Sequence, residues 1–485
     1  MSETVSTIVD TDASYRRVVL FVTTLGAFMT PLDGSIVSVA LPSIAAGLKM
    51  SYAEVIWVPT AYLLCLATLL LTFGRLSDAK GRKLFFTAGF TLFTVASALC
   101  SFAQNGQQLI VFRGAQGVGA AMVGATSAAI VTEAFPSKER GKALGVNTMA
   151  VYTGLLVGPT LGGLLVQALG WRSIFYVNIP IGVAVISITA RRLHESAVDR
   201  RPSESFDLLG AASFSGGLSL VLLGLTLGGG YRWTEPFILG ALSSGLGLLA
   251  LFILVELKHG KDALLDLGLF RGSRLFAAAN VSALLNYTSY SAVTFFISFY
   301  LQRAMSYAPA DAGLILVSTP VTMALLAPIS GWLSDRFGSR AFASVGMALI
   351  SAALFLLGQL GLDSPLLHVV AGLFIIGVGM GLFSTPNTSA VMGSVGKDRL
   401  GVASGTLATM RSMGQSLSLA VMGAVAATVV PPEVLSALFG GAGGTGPVAA
   451  EAFIQGLRRA FSVGAALALA GALTSMVRGR ENKGG

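Results

Sequence analysis

Residues 74–81 read Gly-Arg-Leu-Ser-Asp-Ala-Lys-Gly, and 257 positions later residues 331–338 read Gly-Trp-Leu-Ser-Asp-Arg-Phe-Gly. Each copy closes one long apolar run and opens the next. A second pair, Lys138-Glu139-Arg140 and Lys397-Asp398-Arg399, repeats at an offset of 259. Chance can supply one such match; two at nearly one offset point to a duplicated architecture. Working outward, a membrane-spanning helix needs about 20 mostly apolar residues. Fourteen segments qualify: 18–46, 54–74, 84–103, 107–133, 143–169, 174–190, 207–228, 236–257, 275–301, 312–333, 341–360, 366–393, 402–428 and 456–477. The repeated motifs fall between spans two and three and between ten and eleven; the second pair falls between four and five and between twelve and thirteen. That spacing predicts an all-α integral membrane protein. Residues 1–190 form a six-helix bundle, 191–274 carry two extra helices, and 275–485 form a second six-helix bundle with a short tail. Parallel repeats of this kind occur in transporters, with the path between the halves.

Composition agrees. Of 485 residues, 54% are hydrophobic and 11% charged, against about 25% charged in soluble domains. The 59 glycines suit helices packed closely in lipid, where small residues let backbones approach. A net charge of +9 invites a nucleic-acid reading, but the basic residues are sorted by side. With the N-terminus inside, 24 of the 32 lysines and arginines fall in cytoplasmic segments, as the positive-inside bias requires. The charge is therefore a topology signal and nucleic acid is excluded. Both termini are expected in the cytoplasm, with the chain multi-pass in the cell (inner) membrane; residues 1–17 are expected to be a short tail rather than a signal peptide. Cys65 and Cys100 lie inside apolar runs, and His194, His259 and His368 are scattered, so neither a disulfide nor a metal site is expected. Nothing matches the phosphate-binding Gly-x-x-x-x-Gly-Lys-Ser/Thr pattern. No cofactor is expected, the expected energy source is an ion gradient or the substrate's own, and no nucleophile–base pair suggests an enzyme.

Leu32-Asp33-Gly-Ser-Ile-Val-Ser-Val-Ala-Leu-Pro42 and Trp57-Val-Pro-Thr-Ala-Tyr62, together with the motif from Gly74 to Lys83, Arg113-Gly-Ala-Gln116-Gly117, Gly154-Leu-Leu-Val-Gly158-Pro159-Thr-Leu-Gly162-Gly163 and Trp171-Arg172 through Asn178-Ile-Pro180, make a combination that resembles the major facilitator superfamily. The resemblance is to its fourteen-helix drug:proton antiporter branch and runs through nearly the whole chain. It implies the major facilitator fold, two six-helix bundles plus two extra central helices. It further implies multidrug efflux, with small amphipathic or cationic compounds exported against protons by alternating access. The alternatives are a dedicated exporter of one endogenous metabolite or lipid, and a non-transporting sensor on the same fold. Expected partners are a small-molecule substrate, protons and the lipid bilayer, with the protein a monomer. Two departures stand out. No second acid occurs within the membrane in the C-terminal half, where some relatives carry one. The 361–365 loop is short, which argues against lipid-exporting relatives with an elaborate outer extension.

Asp33 is the one carboxylate well inside a predicted span, and intramembrane acids are functional candidates by default. A rise of about 1.5 Å per residue puts Asp33 roughly 22 Å above the inner end of its helix and Arg113 roughly 9 Å below the outer end of its own, so the two are nearly level. Gly158 reaches a similar height. Desolvation disfavours a charged acid and a nearby cation stabilises it, so a change in their separation or hydration would load or release a proton. Asp33 and Arg113 are thus the expected proton-coupling pair; a static packing pair and a counter-ion for a cationic substrate are the competing roles. Gly154, Gly158, Pro159, Gly162 and Gly163 form the antiporter motif, expected to let this helix approach one of the other half; ordinary small-residue packing is the alternative. Gly74, Asp78, Gly81, Arg82 and Lys83, with Asp335 and Arg340 in the repeat, are the expected inner gate, through helix capping and guanidinium pairing, or else anchors of topology. Trp57, Tyr62, Asn286, Tyr287, Tyr290, Arg411 and Gln415 are the candidate substrate cavity. The first five could hold flat or cationic compounds by stacking and cation–π contact, with plain packing or interface anchoring as the alternative. Arg411, with Gln415 one turn on, is a cation without an obvious acidic partner, open to an anionic group, backbone carbonyls or water.

Overall fold

In the computed structural model the described residues are 13–194, 207–228, 233–259, 265–396, 399–430 and 447–478. Lys397 and Asp398 of the second repeat, and the Asp335 side chain, lie outside the described residues. The first half comprises α1 (Ala13–Leu48), α2 (Tyr52–Lys80), α3 (Arg82–Ser101), α4 (Gly106–Ala134), α5 (Ser137–Leu169), a single turn α6 (Ser173–Tyr176) and α7 (Asn178–Arg192). Then follow α8 (Leu208–Gly228), α9 (Pro236–His259) and a short α10 (Leu267–Gly272). The second half holds α11 (Arg274–Tyr290), α12 (Val293–Phe299), a π-helical turn (Tyr300–Ala304), α13 (Pro309–Leu316), α14 (Ser318–Phe337), α15 (Ser339–Leu357), α16 (Leu366–Gly393), α17 (Leu400–Ala427) and α18 (Pro447–Met476). Below, the end of the bundle where α1 begins is called the tail end and the opposite end the far end.

Local chemistry explains the punctuation. Ser51 starts α2 with a capping box: Glu54 N–H donates to Ser51 Oγ, and Ser51 N–H donates to the Glu54 carboxylate at 2.9 Å, satisfying amides that would otherwise be orphaned. Gly81 and Gly338, the last residues of the two motif copies, hold φ of 112° and 89°. Such values are open to glycine and strained for other residues, and each lets one helix reverse into the next through a single residue. The two copies fold alike.

Twelve described helices are long and apolar enough to cross a membrane, against the fourteen expected. Residues 275–301 are divided among α11, α12 and the π turn, and none of these pieces is long enough alone. The run 402–428 lies in α17, which is 28 residues long. Its sequence carries Arg411, Gln415, Ser412, Ser416 and Ser418 in the middle, which lowers its apolar character. Sequence windows blur both features, because a break in a helix leaves no gap in hydropathy.

In the first half α1 packs on α5, α2 and α3 on α4, and α3 on α7; in the second α15 packs on α16 and α18, α14 on α16, and α11 on α17 and α18. The extra helices α8 and α9 pair with each other, and α8 also lies against α2 and α17, one from each half. That seam is filled by Ala67, Phe214, Leu218, Leu222, Phe252 and Ala420. Large apolar side chains such as Phe102, Leu169, Leu246, Phe337 and Leu367 remain exposed around the perimeter, as a lipid-facing belt requires.

At the far end the two halves meet directly. Ser298 Oγ and Gln302 Nε2 donate to the Val39 carbonyl of α1, the latter at 2.9 Å, and Arg303 Nη2 donates to the Pro42 carbonyl at 2.7 Å. Tyr52 of α2 donates to the Gly423 carbonyl of α17 at 2.9 Å. The α5–α13 contact completes this closure.

Candidate functional site: a buried charge network and a glycine-lined seam

Asp33 and Arg113 meet inside the first half, Arg113 Nη1 lying 2.5 Å from Asp33 Oδ2 with each side chain 1% exposed. Helix geometry brings in more groups. Gln116 lies three residues beyond Arg113 on the same face of α4; its Oε1 accepts from Arg113 Nη1 at 2.6 Å, and its Nε2 donates to Asp33 Oδ1 at 2.8 Å and to Ser97 Oγ at 2.8 Å. Asn178, the first residue of α7, donates from Nδ2 to Asp33 Oδ1 at 2.9 Å. Donors from α4 and α7 therefore converge on the α1 carboxylate, and Ser97 of α3 is tied in through Gln116. Both oxygens are occupied, which is what a buried charge needs to persist in an apolar interior. The Tyr62 ring covers the Arg113 guanidinium at 4.3 Å and is 2% exposed. Tyr62 thus belongs to this network, not to an open cavity as expected. A carboxylate so enclosed also leaves no free face for a cationic compound, so the structure offers nothing for the counter-ion role.

Gln116 and Asn178 were visible in the sequence only as members of quoted motifs, and Ser97 not at all. The i, i+3 spacing of Arg113 and Gln116 was the available signal; the Ser97 contact depends on how α3 packs against α4. Two other buried carboxylates also escaped. Asp207 Oδ1 accepts from Gly210 N–H at 2.7 Å at the start of α8, and Glu256 Oε2 accepts from Leu265 N–H at 3.0 Å near the end of α9. They are 6% and 1% exposed, and both sit at the tail end, at span edges where a linear reading expects solvent.

The α5 motif has two faces. A Cβ added at Gly154 would lie 2.5 Å from the Phe28 carbonyl oxygen, one at Gly158 would overlap Ser35, and one at Gly162 would lie 3.1 Å from the Ile36 Cα. All three of those neighbours are on α1, within the same half. A Cβ on Gly163 would instead meet the Pro309 carbonyl and Ala310 of α13, and one on Gly313 would meet the Pro159 carbonyl. Positions 154, 158 and 162 form an i+4 stripe toward α1, whereas 159 and 163 are rotated about 100° onto the second half. Within the motif expected to approach the other half, Pro159 and Gly163 face it, whereas Gly154, Gly158 and Gly162 face α1.

The motif between α2 and α3 also binds within its own half. Arg82 pairs with Asp78 at 2.8 Å and with Glu133 at 3.2 Å, and Lys83 Nζ donates to the Ala190 carbonyl at 3.4 Å. These bonds tie α2, α4 and α7 together at the tail end; none of those described crosses to the second half. Gly74 has open space beside it, and Arg340 is exposed.

The candidate cavity residues separate into groups. Tyr287 and Tyr290 pack with ring centroids 5.7 Å apart and planes tilted by 48°, and Arg411 lies 5.9 Å from the Tyr287 ring while donating from Nη2 to Thr388 Oγ1 at 2.6 Å. Gln415 is half-buried one turn further along α17. Asn286 does not join them: it is fully buried and donates to Met347 Sδ of α15. Adjacent helical residues point about 100° apart, so Asn286 and Tyr287 cannot share a face. Trp57, half-buried five residues into α2, sits roughly 7.5 Å from the far end, whereas Arg411 is roughly 24 Å from the far end of α17.

Comparison with known proteins adds a wider frame. The chain is 35% identical over 407 residues to the riboflavin transporter RibZ of Clostridioides difficile, covering 84% of this chain and 87% of that protein. It is 34% identical over 409 residues to the multidrug resistance protein Stp of Mycobacterium tuberculosis, covering 84% and 75%, and 32% identical over 403 residues to the multidrug transporter protein MdtP of Bacillus subtilis, covering 83% and 73%. Among solved structures, a bacterial homolog of the human lysosomal transporter Spinster, inward-facing and unoccupied, aligns with a TM-score of 0.68 at 16% identity, covering 96% of this chain and 97% of that one; at that identity the likeness speaks to fold alone. The family model described as Major Facilitator Superfamily matches residues 23–419 and again 279–483. With helices, repeat and family match in agreement, the chain belongs to the Major Facilitator Superfamily and is a membrane transporter, not an enzyme.

Proposed function

We propose that this transporter exports small amphipathic compounds in exchange for protons, by alternating access, with Asp33 as the proton-carrying group. In this reading α11–α12 and α17 also cross the bilayer, making fourteen crossings. The tail end faces the cytoplasm, and the far end is closed in the present conformation. The observation that carries the proposal is the Asp33 environment: a carboxylate 1% exposed whose oxygens accept from Arg113, Gln116 and Asn178. Protonating Asp33 would turn one acceptor oxygen into a donor, aimed at groups that are already donors. Proton uptake therefore demands rearrangement. Asn178 Oδ1 is buried without a hydrogen-bond partner, and a half-turn of that amide would present it to accept the new O–H. A charge in the span whose titration requires neighbouring helices to adjust is the element that a proton-driven cycle needs.

Multidrug relatives such as Stp and MdtP support export of several compounds, and the riboflavin transporter supports a second reading, service to a single flat metabolite. The test of coupling is export from energised vesicles with and without a pH gradient. Asp33→Asn should insert and fold normally yet lose gradient-driven export. Unchanged gradient-driven export in that variant would remove Asp33 from the mechanism, and a panel of unrelated dyes against riboflavin-like compounds separates the two substrate readings.

A further inference from the structure

We infer that the group around Arg411 is a binding site for flat aromatic compounds that carry an acidic group, with the guanidinium taking the anion and the tyrosines holding the rings. The inference deepens the transport reading and rests on it for the site's position between the halves.

Arg411 is the charged side chain this cluster contains. It comes from α17, Tyr287 and Tyr290 from α11, and Thr388 from α16. Tyr152 of α5, in the first half, packs against the same apolar cluster as Tyr290. Gly414 lets α11 pack tightly beside Arg411, since a Cβ there would lie 2.7 Å from the Leu284 carbonyl and Tyr287 Cβ.

Among the described residues no carboxylate pairs with Arg411. Its Nη2 reaches Thr388, and its Nε is buried without a hydrogen-bond partner. An unpaired guanidinium in a membrane span is costly to hold, and its planar fork of donors matches a carboxylate in two parallel bonds. The acid on the opposite side of the protein does not balance it, because Asp33 is enclosed by Arg113, Gln116 and Asn178. The field in this part of the path is therefore positive. Two adjoining tyrosine rings next to a cation favour a flat ring bearing negative charge over a cationic dye, which Arg411 would repel.

Binding to purified protein tests this with three coumarins of matched size: the 3-carboxylate, its neutral carboxamide and a trimethylammonium analogue. Wild type should bind the carboxylate about tenfold or more tighter than the amide, the scale of a hydrogen bond to a charged group, and the cation most weakly. Arg411→Gln should remove that preference, and Arg411→Lys, which keeps the charge but not the fork, should restore part of it. Equal binding of all three by wild type, or a carboxylate preference that survives in Arg411→Gln, overturns the inference; the wild-type comparison stands even if the glutamine variant does not fold. A carboxylate that binds with this selectivity but is never moved by energised vesicles would instead overturn the transport reading and leave the site intact.

Discussion

Replacing Gly163 by alanine adds one methyl group at the seam between α5 and α13. That Cβ would lie 2.9 Å from the Ala310 Cα, with the Pro309 carbonyl oxygen closer still. Ordinary van der Waals distance begins at 3.4 Å, so the two backbones must separate by about 0.5 Å at Ala310 and by about 1 Å at the Pro309 carbonyl, and neither has a flexible side chain to yield. Overpacking of this kind costs about 1–3 kcal/mol. The strain exists only while the far end is closed, so it shifts the conformational equilibrium toward far-end-open forms by roughly 5- to 150-fold. Spin labels placed near the far ends of α5 and α13 should report a longer mean separation, with transport slowed and the amount of folded protein in the membrane near wild type. Gly158→Ala is the control. Its new methyl collides with Ser35 on α1 inside one half, so it should lower thermal stability without favouring either end. If Gly163→Ala leaves the α5–α13 distance distribution and the transport rate unchanged, the assignment of the seam to positions 159 and 163 is wrong.

Other perturbations follow from the same geometry. Asn178→Leu removes a donor to Asp33 and the amide oxygen available to a protonated acid; substrate-induced proton release measured on purified protein should slow by about tenfold or more, and a wild-type rate would take Asn178 out of the proton path. Arg303→Gln deletes the bond to the Pro42 carbonyl across the far end; far-end cysteines should become more reactive to impermeant maleimides, whereas unchanged labelling would mean that Gln302, Ser298 and Tyr52 hold the closure alone. Arg82→Ala breaks pairs to Asp78 and Glu133 that are partly solvent-exposed. It should cost no more than about 1 kcal/mol of stability, and a large loss of thermal stability would show that this loop holds the first half together.

Much of the architecture was legible in one dimension because lipid imposes a simple rule: a span must be helical and mostly apolar. Run length therefore revealed most of the spans, and the sorting of lysine and arginine gave the expected sidedness. The duplicated Gly-to-Gly motif announced the internal repeat, since a reversal through one positive-φ residue needs glycine in both halves. Asp33 and Arg113 could be paired by height alone, because helical rise converts residue number into depth. The break between α11 and α12 was not legible, because it turns on the Ala292 N–H donating to Ser418 Oγ of α17, which leaves no mark on hydropathy.

What needed the folded chain was rotation about each helix axis and the choice of neighbour. Height along a helix is nearly fixed by counting, but azimuth depends on which helices pack together. That is why Gly158 turned out to face α1 while Gly163 faces α13, why Asn286 left Tyr287 for Met347, and why Tyr62 covers Arg113. Ser97 entered the charge network for the same reason: it lies on α3 and reaches Gln116 only through the α3–α4 packing. The sequence by itself determined the helices, their order and the depth of their charges. Tertiary packing decided which side chains meet, because lateral contacts between helices are set by the fit of whole surfaces rather than by any local run of residues.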